Sequence, residues 1–364
     1  MRFSLVTRAL SYLDALAEEA GDDTSLLREI RTAYQRVGDV QGNSNNANLG
    51  DYKGARASYE KAKTLATQLI ALEPGHRENR VALGEALDRM GDVEWELDNP
   101  SAAYPHYVAA LQHFDALLAE SPVDGRVLRL AERSRVDLGD TLLMLKRRPE
   151  ALAAYTRALN ALEPISLREP GDVELVRTVS IIYVKLGDMD AQCKRNLQAR
   201  RRYEQARALR EKLLAGAPSS PKLRRDLGAV QSRLGRTLRK LGDLTAALVT
   251  FEHSRQLDEA VLAADPRNVQ AQRDLAVSFI RLGETHDLQA KAARVDSGVR
   301  MRAAMAAERE FSRALSLLET QKREGRFSAQ DNKVLEELRG IVARLRRETP
   351  GDARGPSAGT HEAR

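Results

Sequence analysis

Apolar residues recur at helical spacing along the chain, and turn-forming residues interrupt them at regular intervals. In one clear example Leu227, Val230 and Leu234 stand eight, five and one positions before Gly235. This spacing marks one face of an amphipathic helix. Small and apolar residues around Phe251, sixteen positions after that glycine, predict a second helix. The pattern therefore predicts an all-α chain of helices in pairs.

The pairs repeat with a period of 48 residues. Three independent series, one of prolines, one of aromatic residues and one of glycines, share this interval: Pro74, Pro122, Pro170, Pro218, Pro266; Tyr59, Tyr107, Tyr155, Tyr203, Phe251; and Gly91, Gly139, Gly187, Gly235, Gly283, with Gly38 standing 53 before Gly91. Series that stay in phase over so long a chain indicate one repetitive array instead of several unrelated domains.

The prolines and glycines have different predicted roles. Each proline lacks the amide hydrogen that a helix interior uses, so we expect it to follow the end of the second helix of a pair. Each glycine lies within the first helix, where it costs about 1 kcal/mol relative to alanine. We expect close approach of the partner helix, through the aromatic residue that follows, to compensate this cost.

The period divides the chain into segments with predicted boundaries. We expect a capping helix at 1–20, a second capping helix at 324–348 and a disordered tail at 349–364. Between the two caps we expect six hairpins: 21–74, 75–122, 123–170, 171–218, 219–266 and 267–323. Two hairpins carry extra residues between their helices, in the Asn-rich segment 42–48 and around 287–302. Such insertions are expected to emerge as loops on one edge of the array. The Asn-rich segment is either a turn or a recognition loop.

These residues resemble the tetratricopeptide repeat family. Its Leu-Gly pair, Gly-Asp turn, small residue, aromatic residue and terminal proline match best at Leu234-Gly235, Leu238, Gly242-Asp243, Ala247, Phe251 and Pro266. The family's usual unit has about 34 residues, so each helix here should be about two turns longer. The resemblance implies a right-handed α-solenoid whose first helices line a concave groove.

The segment 12–62 also resembles the repeat region that follows the kinase domain in some bacterial serine/threonine protein kinases. The chain itself has no glycine-rich nucleotide loop and no catalytic His-Arg-Asp sequence. His76-Arg77-Glu78 lacks the context of a carboxylate with a downstream asparagine that phosphoryl transfer needs. No Gly-x-Ser-x-Gly elbow is present, and no histidines or cysteines show metal-ligand spacing. We therefore expect neither an enzyme, nor a cofactor, nor a metal site.

Charge is unevenly distributed along the chain, whose net charge is +6. Residues 1–100 carry 12 Lys and Arg against 17 Asp and Glu, whereas residues 101–260 carry 27 against 20. Acidic residues are interspersed with the basic ones, which disfavours nucleic acid as the partner. No apolar run has the length of a membrane span or the form of a signal peptide. Cys193 is the single cysteine, so no disulfide can form within the chain, and a cytoplasmic location is expected. We expect Cys193 to lie on a helix as a packed or half-buried thiol.

The position after each repeated glycine is the strongest candidate for ligand contact. If the family resemblance holds, it faces the groove, together with neighbouring charged and aromatic residues: Asp39, Asp92, Trp95, Glu96, Asp140, Asp188, Arg236, Arg239, Lys240 and Glu284. A peptide with a basic stretch toward the N-terminal repeats and an acidic stretch near the fifth repeat would complement these charges. The alternative is that they are only the hydrophilic positions of long helices.

The sequence thus predicts a non-catalytic scaffold that binds a protein or peptide in a concave groove, in the setting of a bacterial kinase signalling system. The alternative from another class is a nucleic-acid-binding α-solenoid that uses the basic middle repeats. The oligomeric state is left open.

Overall fold

The computed structural model describes residues 2–43, 48–292, 296–325 and 329–349. These residues form fourteen α-helices and no strand. The helices are α1 Arg2–Glu19, α2 Thr24–Gly42, α3 Tyr52–Leu72, α4 Arg77–Glu96, α5 Pro100–Glu120, α6 Gly125–Met144, α7 Arg148–Arg168, α8 Val173–Gln192, α9 Asn196–Gly216, α10 Pro221–Lys240, α11 Leu244–Ala264, α12 Val269–Lys291, α13 Ser297–Arg323 and α14 Ala329–Glu348. The predicted all-α array of paired helices is confirmed.

Helix lengths and ends follow the repeated sequence signals. Helices α2 to α11 have 19 to 21 residues, as expected from the long period. Each second helix from α3 to α11 ends two residues before a proline of the 48-residue series, for example at Leu72 before Pro74 and at Ala264 before Pro266. The prediction that these prolines mark helix ends is confirmed.

Helices also begin at side-chain caps. Asp124 at the start of α6 accepts a hydrogen bond from the amide of Val127, and Asp243 at the start of α11 accepts one from the amide of Ala246. Such caps satisfy donors that the first turn of a helix leaves without partners.

Three-residue connections join the helices of the pairs from α4/α5 to α10/α11. The first residue after each helix cap has a left-handed backbone at Asp98, Lys146, Lys194 and Gly242, with φ of 56°, 62°, 59° and 84°. These four residues are again 48 apart, and only Gly242 adopts this conformation without steric cost. The connection is therefore a repeated structure that tolerates different residues.

Two sequence expectations are wrong. The extra residues around 287–302 do not all form a loop: α12 and α13 are extended to 23 and 27 residues and absorb most of them. Their alanine-rich, charged sequence favours helix. Cys193 is exposed and lies outside a helix, because α8 ends at Gln192 and Cys193 belongs to the connection to α9.

The chain divides into two compact units, Met1–Ile182 and Tyr183–Arg364, here called unit 1 and unit 2. In unit 1, one buried cluster around Leu27, Tyr34 and Leu69 joins α1, α2 and α3, and another around Phe114 joins α4, α5 and α6. In unit 2, Phe279 and Phe311 pack with apolar residues of α14, namely Leu335, Leu338, Val342 and Leu345. Each unit thus has its own apolar core.

Helices α1 and α14 lie in the segments predicted as terminal caps, while the boundaries of the hairpin units stay a prediction. Residues 44–47 of the Asn-rich segment and 350–364 of the predicted tail lie outside the described residues.

Candidate functional site

The repeated glycines of the first helices lie against the aromatic rings of the second helices. A Cβ placed on Gly139 would lie 2.6 Å from a ring carbon of Tyr155, and one on Gly235 would lie 2.6 Å from a ring carbon of Phe251. The same contact occurs at the other positions of the series: Gly38–Tyr59, Gly91–Tyr107, Gly187–Tyr203 and Gly283–Phe311. The expected compensation of the mid-helix glycines is confirmed, since any larger residue would displace a buried ring.

The residue after the glycine holds the tyrosine hydroxyl. Tyr59 donates to Asp39 at 2.7 Å, Tyr107 donates to Asp92 at 2.9 Å, and Tyr203 donates to Asp188 at 2.7 Å; Tyr155 donates to Asp140 in the same way. Burial, followed by the neighbouring carboxylate, raises the pKa of Tyr59 and of Tyr203. Four of the predicted groove carboxylates therefore have a partner inside the protein.

The last two hairpins differ at this position. Their aromatic residues are Phe251 and Phe311, which have no hydroxyl, and the residues after the glycines are Arg236 and Glu284. Aspartate thus occurs where the aromatic residue is tyrosine and is replaced where it is phenylalanine. This correlation among the repeats was visible in the sequence, but the residues lie at least fifteen positions apart, and their contact was not predicted.

In unit 1 the predicted residues Asp39, Asp92 and Asp140 belong to a charge network on α2, α4 and α6. Arg89 links two of them, with Nε 3.5 Å from Asp39 and Nη1 3.3 Å from Asp92. Arg133 and Ser134 of α6 both donate to the buried Asp88 of α4.

Three carboxylates are close together in this network. Burial, and then the charge of Asp88, raises the pKa of Asp92; burial, and then the charges of Asp92 and Asp88, raises the pKa of Asp137. The charge of Asp140 also raises the pKa of Asp137. These groups mainly interact with one another and with arginines of the same unit.

The two other predicted residues of unit 1 lie at the end of α4. Trp95 is half-buried and Glu96 is exposed. The charge of Glu96 raises the pKa of Tyr52, the first residue of α3. Glu96 is therefore the most exposed carboxylate among the predicted residues of unit 1.

In unit 2 the predicted residues lie beside a strongly basic surface. We define the basic surface as Arg233, Arg236, Arg239 and Lys240 of α10 with Arg281 of α12. Arg233 Nε binds both carboxylate oxygens of Asp188, at 3.1 and 3.2 Å, and Arg239 binds Glu284 at 2.5 Å. The guanidinium of Arg239 also lies 6.0 Å from the centre of the Phe251 ring, a cation–π contact.

The remaining cations of the basic surface have no carboxylate partner. Arg236 and Lys240 are exposed and form no ion pair or hydrogen bond with any residue that the structure describes. Together with Asp188, Arg233 and Arg239 they line an open cavity of about 400 Å³. This cavity brings four predicted residues together, and Glu284 adjoins them through Arg239.

Arg281 is the residue that sequence analysis missed. Its Nε and Nη1 atoms are buried, and neither has a hydrogen-bond partner among the described residues. Burial, followed by the charge of Arg236, lowers its pKa to about 10. Buried donors of a charged group are unfavourable when they lack hydrogen-bond partners, and an anion bound beside Arg281 would supply such partners.

Metal-ligand clusters and membrane-spanning helices are both absent from the described residues. No three His, Cys, Asp or Glu side chains are arranged there so that they could hold a metal ion. Among the same residues, no helix combines the length and the apolar character needed to cross a bilayer.

Comparisons with known proteins concern the fold. No protein-family model and no curated protein matches the chain. Among solved structures, Nro1 of S. pombe, described as a nuclear import adaptor, matches with a TM-score of 0.52 at 10% sequence identity, covering 93% of this chain and 99% of Nro1. This similarity shows that the chain shares the all-helical fold of Nro1.

Two further similar structures have lower TM-scores. BtubC from P. vanneervenii matches with a TM-score of 0.48 at 16% identity, over 86% of this chain and 99% of BtubC. A thermophilic tetratricopeptide repeat protein of Thermus thermophilus matches with a TM-score of 0.35 at 18% identity, over 68% of this chain and 98% of that one.

Proposed function

We propose that this chain is a non-catalytic scaffold that binds a protein partner, and that the basic surface of unit 2 binds an acidic segment of that partner. The observation that carries the proposal is a set of cations without an ion pair among the described residues. Arg236 and Lys240 are exposed, and Arg281 is half-buried, with its Nε and Nη1 atoms buried and without hydrogen-bond partners there. Charges arranged in this way favour encounter with a surface of opposite sign.

The unit 1 carboxylates are weaker candidates for ligand contact than the sequence alone indicates. Asp39, Asp92 and Asp140 each accept a hydrogen bond from a tyrosine, and the side chain of Asp92 is only 12% exposed. A ligand would have to compete with these internal bonds. In this proposal a basic stretch of the partner contacts the exposed Glu96 and the exposed edge of the unit 1 charge network. This contact has a lower affinity than the contact in unit 2.

The test compares charge-reversed variants in a quantitative pull-down from the native cell. Arg236→Glu with Lys240→Glu reverses two unpaired charges on the basic surface. The matched control, Arg201→Glu with Lys212→Glu, reverses two exposed charges on α9, a second helix. We expect the first variant to lose a set of acidic partners that the wild type and the control retain. Equal recovery of those partners by all three proteins contradicts the proposal.

Nuclease treatment separates the alternative function. If the basic surface bound nucleic acid, the material recovered by the wild type would be nuclease-sensitive, and its binding would weaken steeply with salt. The kinase setting is tested in the same experiment: it requires a protein kinase or its substrate among the partners lost from the charge-reversed variant.

A further inference from the structure

A second cavity of unit 2 is lined by residues of α10, α11 and α12, shares Arg233, Arg236 and Arg281 with the basic surface, and has a volume of about 280 Å³. We call it the arginine cavity, because four arginines line it: Arg225, Arg233, Arg236 and Arg281. Gly228 also lines the cavity, and a Cβ at this position would lie 3.2 Å from Oδ1 of Asp258. The absence of a side chain at Gly228 therefore leaves room in the cavity that a larger residue would occupy.

The arginines of this cavity are unequally neutralised. Arg233 is bound by Asp188 and by the carbonyl oxygen of Ala229. Arg236 and Arg281 form no ion pair with a described residue, and the charge of Arg236 helps to lower the pKa of Arg281. Two neighbouring guanidinium groups thus repel each other with no carboxylate bonded between them.

The carboxylates in the cavity do not remove this excess charge. Asp258 is buried, accepts a hydrogen bond from Ser278 at 2.6 Å, and has its pKa raised to about 6 by burial. Asp274 accepts a hydrogen bond from Gln270 at 2.9 Å. Neither forms an ion pair with Arg236 or Arg281 within the described residues. Four arginines and two aspartates leave the lining positively charged.

The chemistry of these groups selects one class of anion. A phosphate monoester carries a charge of roughly −1.5 to −2 at pH 7 and three strong acceptor oxygens, which matches two unpaired guanidinium groups. A carboxylate carries a single charge, and so does each phosphodiester of a nucleic acid. Guanidinium groups bind phosphate through paired, charge-assisted hydrogen bonds.

We propose that the arginine cavity binds the phosphate monoester of a phosphorylated side chain on the partner protein, held by Arg236 and Arg281. This inference rests on the proposed function, since it specifies the chemistry of the partner's acidic segment. Phosphorylation of the partner then controls its binding to unit 2.

The probes are three short alanine-based peptides that contain phosphoserine, serine or glutamate at the central position, and a single-stranded oligonucleotide. Their binding to the full chain is measured by isothermal titration calorimetry at constant ionic strength. The variants are Arg281→Gln and Arg236→Gln, and the control is Arg201→Gln on the exposed face of α9. Circular dichroism establishes that each variant is folded.

We expect the phosphoserine peptide to bind the wild type and the control equally, and to lose about tenfold or more in affinity with Arg281→Gln or Arg236→Gln. We expect the glutamate peptide to bind more weakly and the serine peptide not to bind. Equal affinity for the phosphoserine and serine peptides, or no loss with Arg281→Gln, overturns the inference. Preference for the oligonucleotide overturns it in favour of nucleic acid.

The two proposals fail in different ways. If the pull-down shows partners lost with Arg236→Glu and Lys240→Glu, but the phosphoserine peptide binds no better than the glutamate peptide, the scaffold function stands and the phosphate site does not. If the phosphoserine peptide binds through Arg281 while the pull-down finds no charge-dependent partner, the anion site is real and the scaffold function is wrong.

Discussion

The residue after the repeated glycine is an aspartate throughout unit 1, whereas in unit 2 this position holds Asp188, Arg236 and Glu284. In unit 1 the residue after the repeated glycine is aspartate, and its carboxylate binds a tyrosine hydroxyl of the next helix and arginines of the network. In the hairpin of Gly235 the aromatic residue is Phe251, and Arg236 takes the place of the aspartate without an ion pair to any described residue. The carboxylates after the glycines of unit 1 thus have internal partners, whereas Arg236 of unit 2 has none among the described residues.

The difference shows how a repeat can acquire a binding surface. A tyrosine hydroxyl in a buried setting requires an acceptor, which restricts the position after the glycine to a residue such as aspartate. Replacing tyrosine by phenylalanine keeps the packing of the ring against the glycine but removes the need for the acceptor. The position can then carry a different charge.

The largest expected effect on stability concerns the contact between the repeated glycine and the aromatic ring, which both units share. Gly139→Ala in unit 1 and Gly235→Ala in unit 2 each bring a methyl group to 2.6 Å from a ring carbon. Overpacking of this kind costs about 1–3 kcal/mol or more and outweighs the helix propensity of alanine. We expect each variant to lose about 2 kcal/mol of unfolding free energy in urea titrations.

Gly340→Ala is the matched control for these substitutions. Gly340 lies within α14, and a Cβ there meets no atom within 4 Å. This variant should gain up to about 1 kcal/mol. If Gly139→Ala and Gly235→Ala behaved like Gly340→Ala, the ring contact would not be the reason for the repeated glycine.

A smaller effect on stability is expected when the hydroxyl of the aromatic residue is removed in unit 1 or added in unit 2. Tyr107→Phe in unit 1 removes a donor from the largely buried Asp92, and we expect a loss of about 1–2 kcal/mol. In unit 2, Phe251→Tyr places a hydroxyl near Arg236, which cannot accept a hydrogen bond. Combined with Arg236→Asp, the new hydroxyl should gain an acceptor.

A double-mutant cycle over Phe251→Tyr and Arg236→Asp measures this coupling. We expect the two changes together to be more favourable by about 1 kcal/mol than the sum of the single changes. Strict additivity would show that the residue after the glycine is chosen independently of the tyrosine hydroxyl.

The smallest effect concerns the clustered carboxylates of unit 1 and depends on pH. Burial and then the charges of Asp92 and Asp88 raise the pKa of Asp137 in the folded chain above its ordinary value of 3.8. The folded state therefore binds more protons than the unfolded state, and stability is lost as the pH rises from about 3.8 through the raised pKa. Asp137→Asn removes this loss.

Thermal unfolding of Asp137→Asn and the wild type between pH 4 and pH 8 checks this prediction. The variant should be more stable than the wild type at pH 8, by less than about 1 kcal/mol, and the advantage should shrink toward pH 4. As a control for ordinary surface carboxylates, exposed Glu337→Gln should change little across the range. An advantage of Asp137→Asn that is constant with pH would contradict the raised pKa.

Much of the fold could be predicted from the sequence because its signals are local. A proline ends each second helix within two residues, and a glycine followed by an aromatic residue at fixed spacing indicates the contact of the two helices. The extended helices α12 and α13 were not predicted, since a change in the repeat length does not show whether extra residues form a loop or lengthen the helices. Cys193 was misplaced for a related reason: its helix ended one residue earlier.

The candidate site was predictable only in part. The sequence pointed to the position after each glycine, and Arg236, Arg239 and Lys240 do lie together on the basic surface. It did not show that Asp39, Asp92, Asp140 and Asp188 are bound by tyrosines, because those partners lie on a different helix. The chain has many arginines, and the residues next to Arg281 in the sequence do not indicate whether its guanidinium nitrogens are solvated or, as observed for Nε and Nη1, buried without partners among the described residues.

The period, the helical pairs and the packing of glycine against the aromatic ring follow from the sequence alone, because each depends on residues near one another in a single repeat. Which charges are neutralised depends on the tertiary structure. Pairing between Arg233 and Asp188, or its absence at Arg236 and Arg281, depends on side chains that different helices bring together, and burial then sets how much an unpaired charge costs.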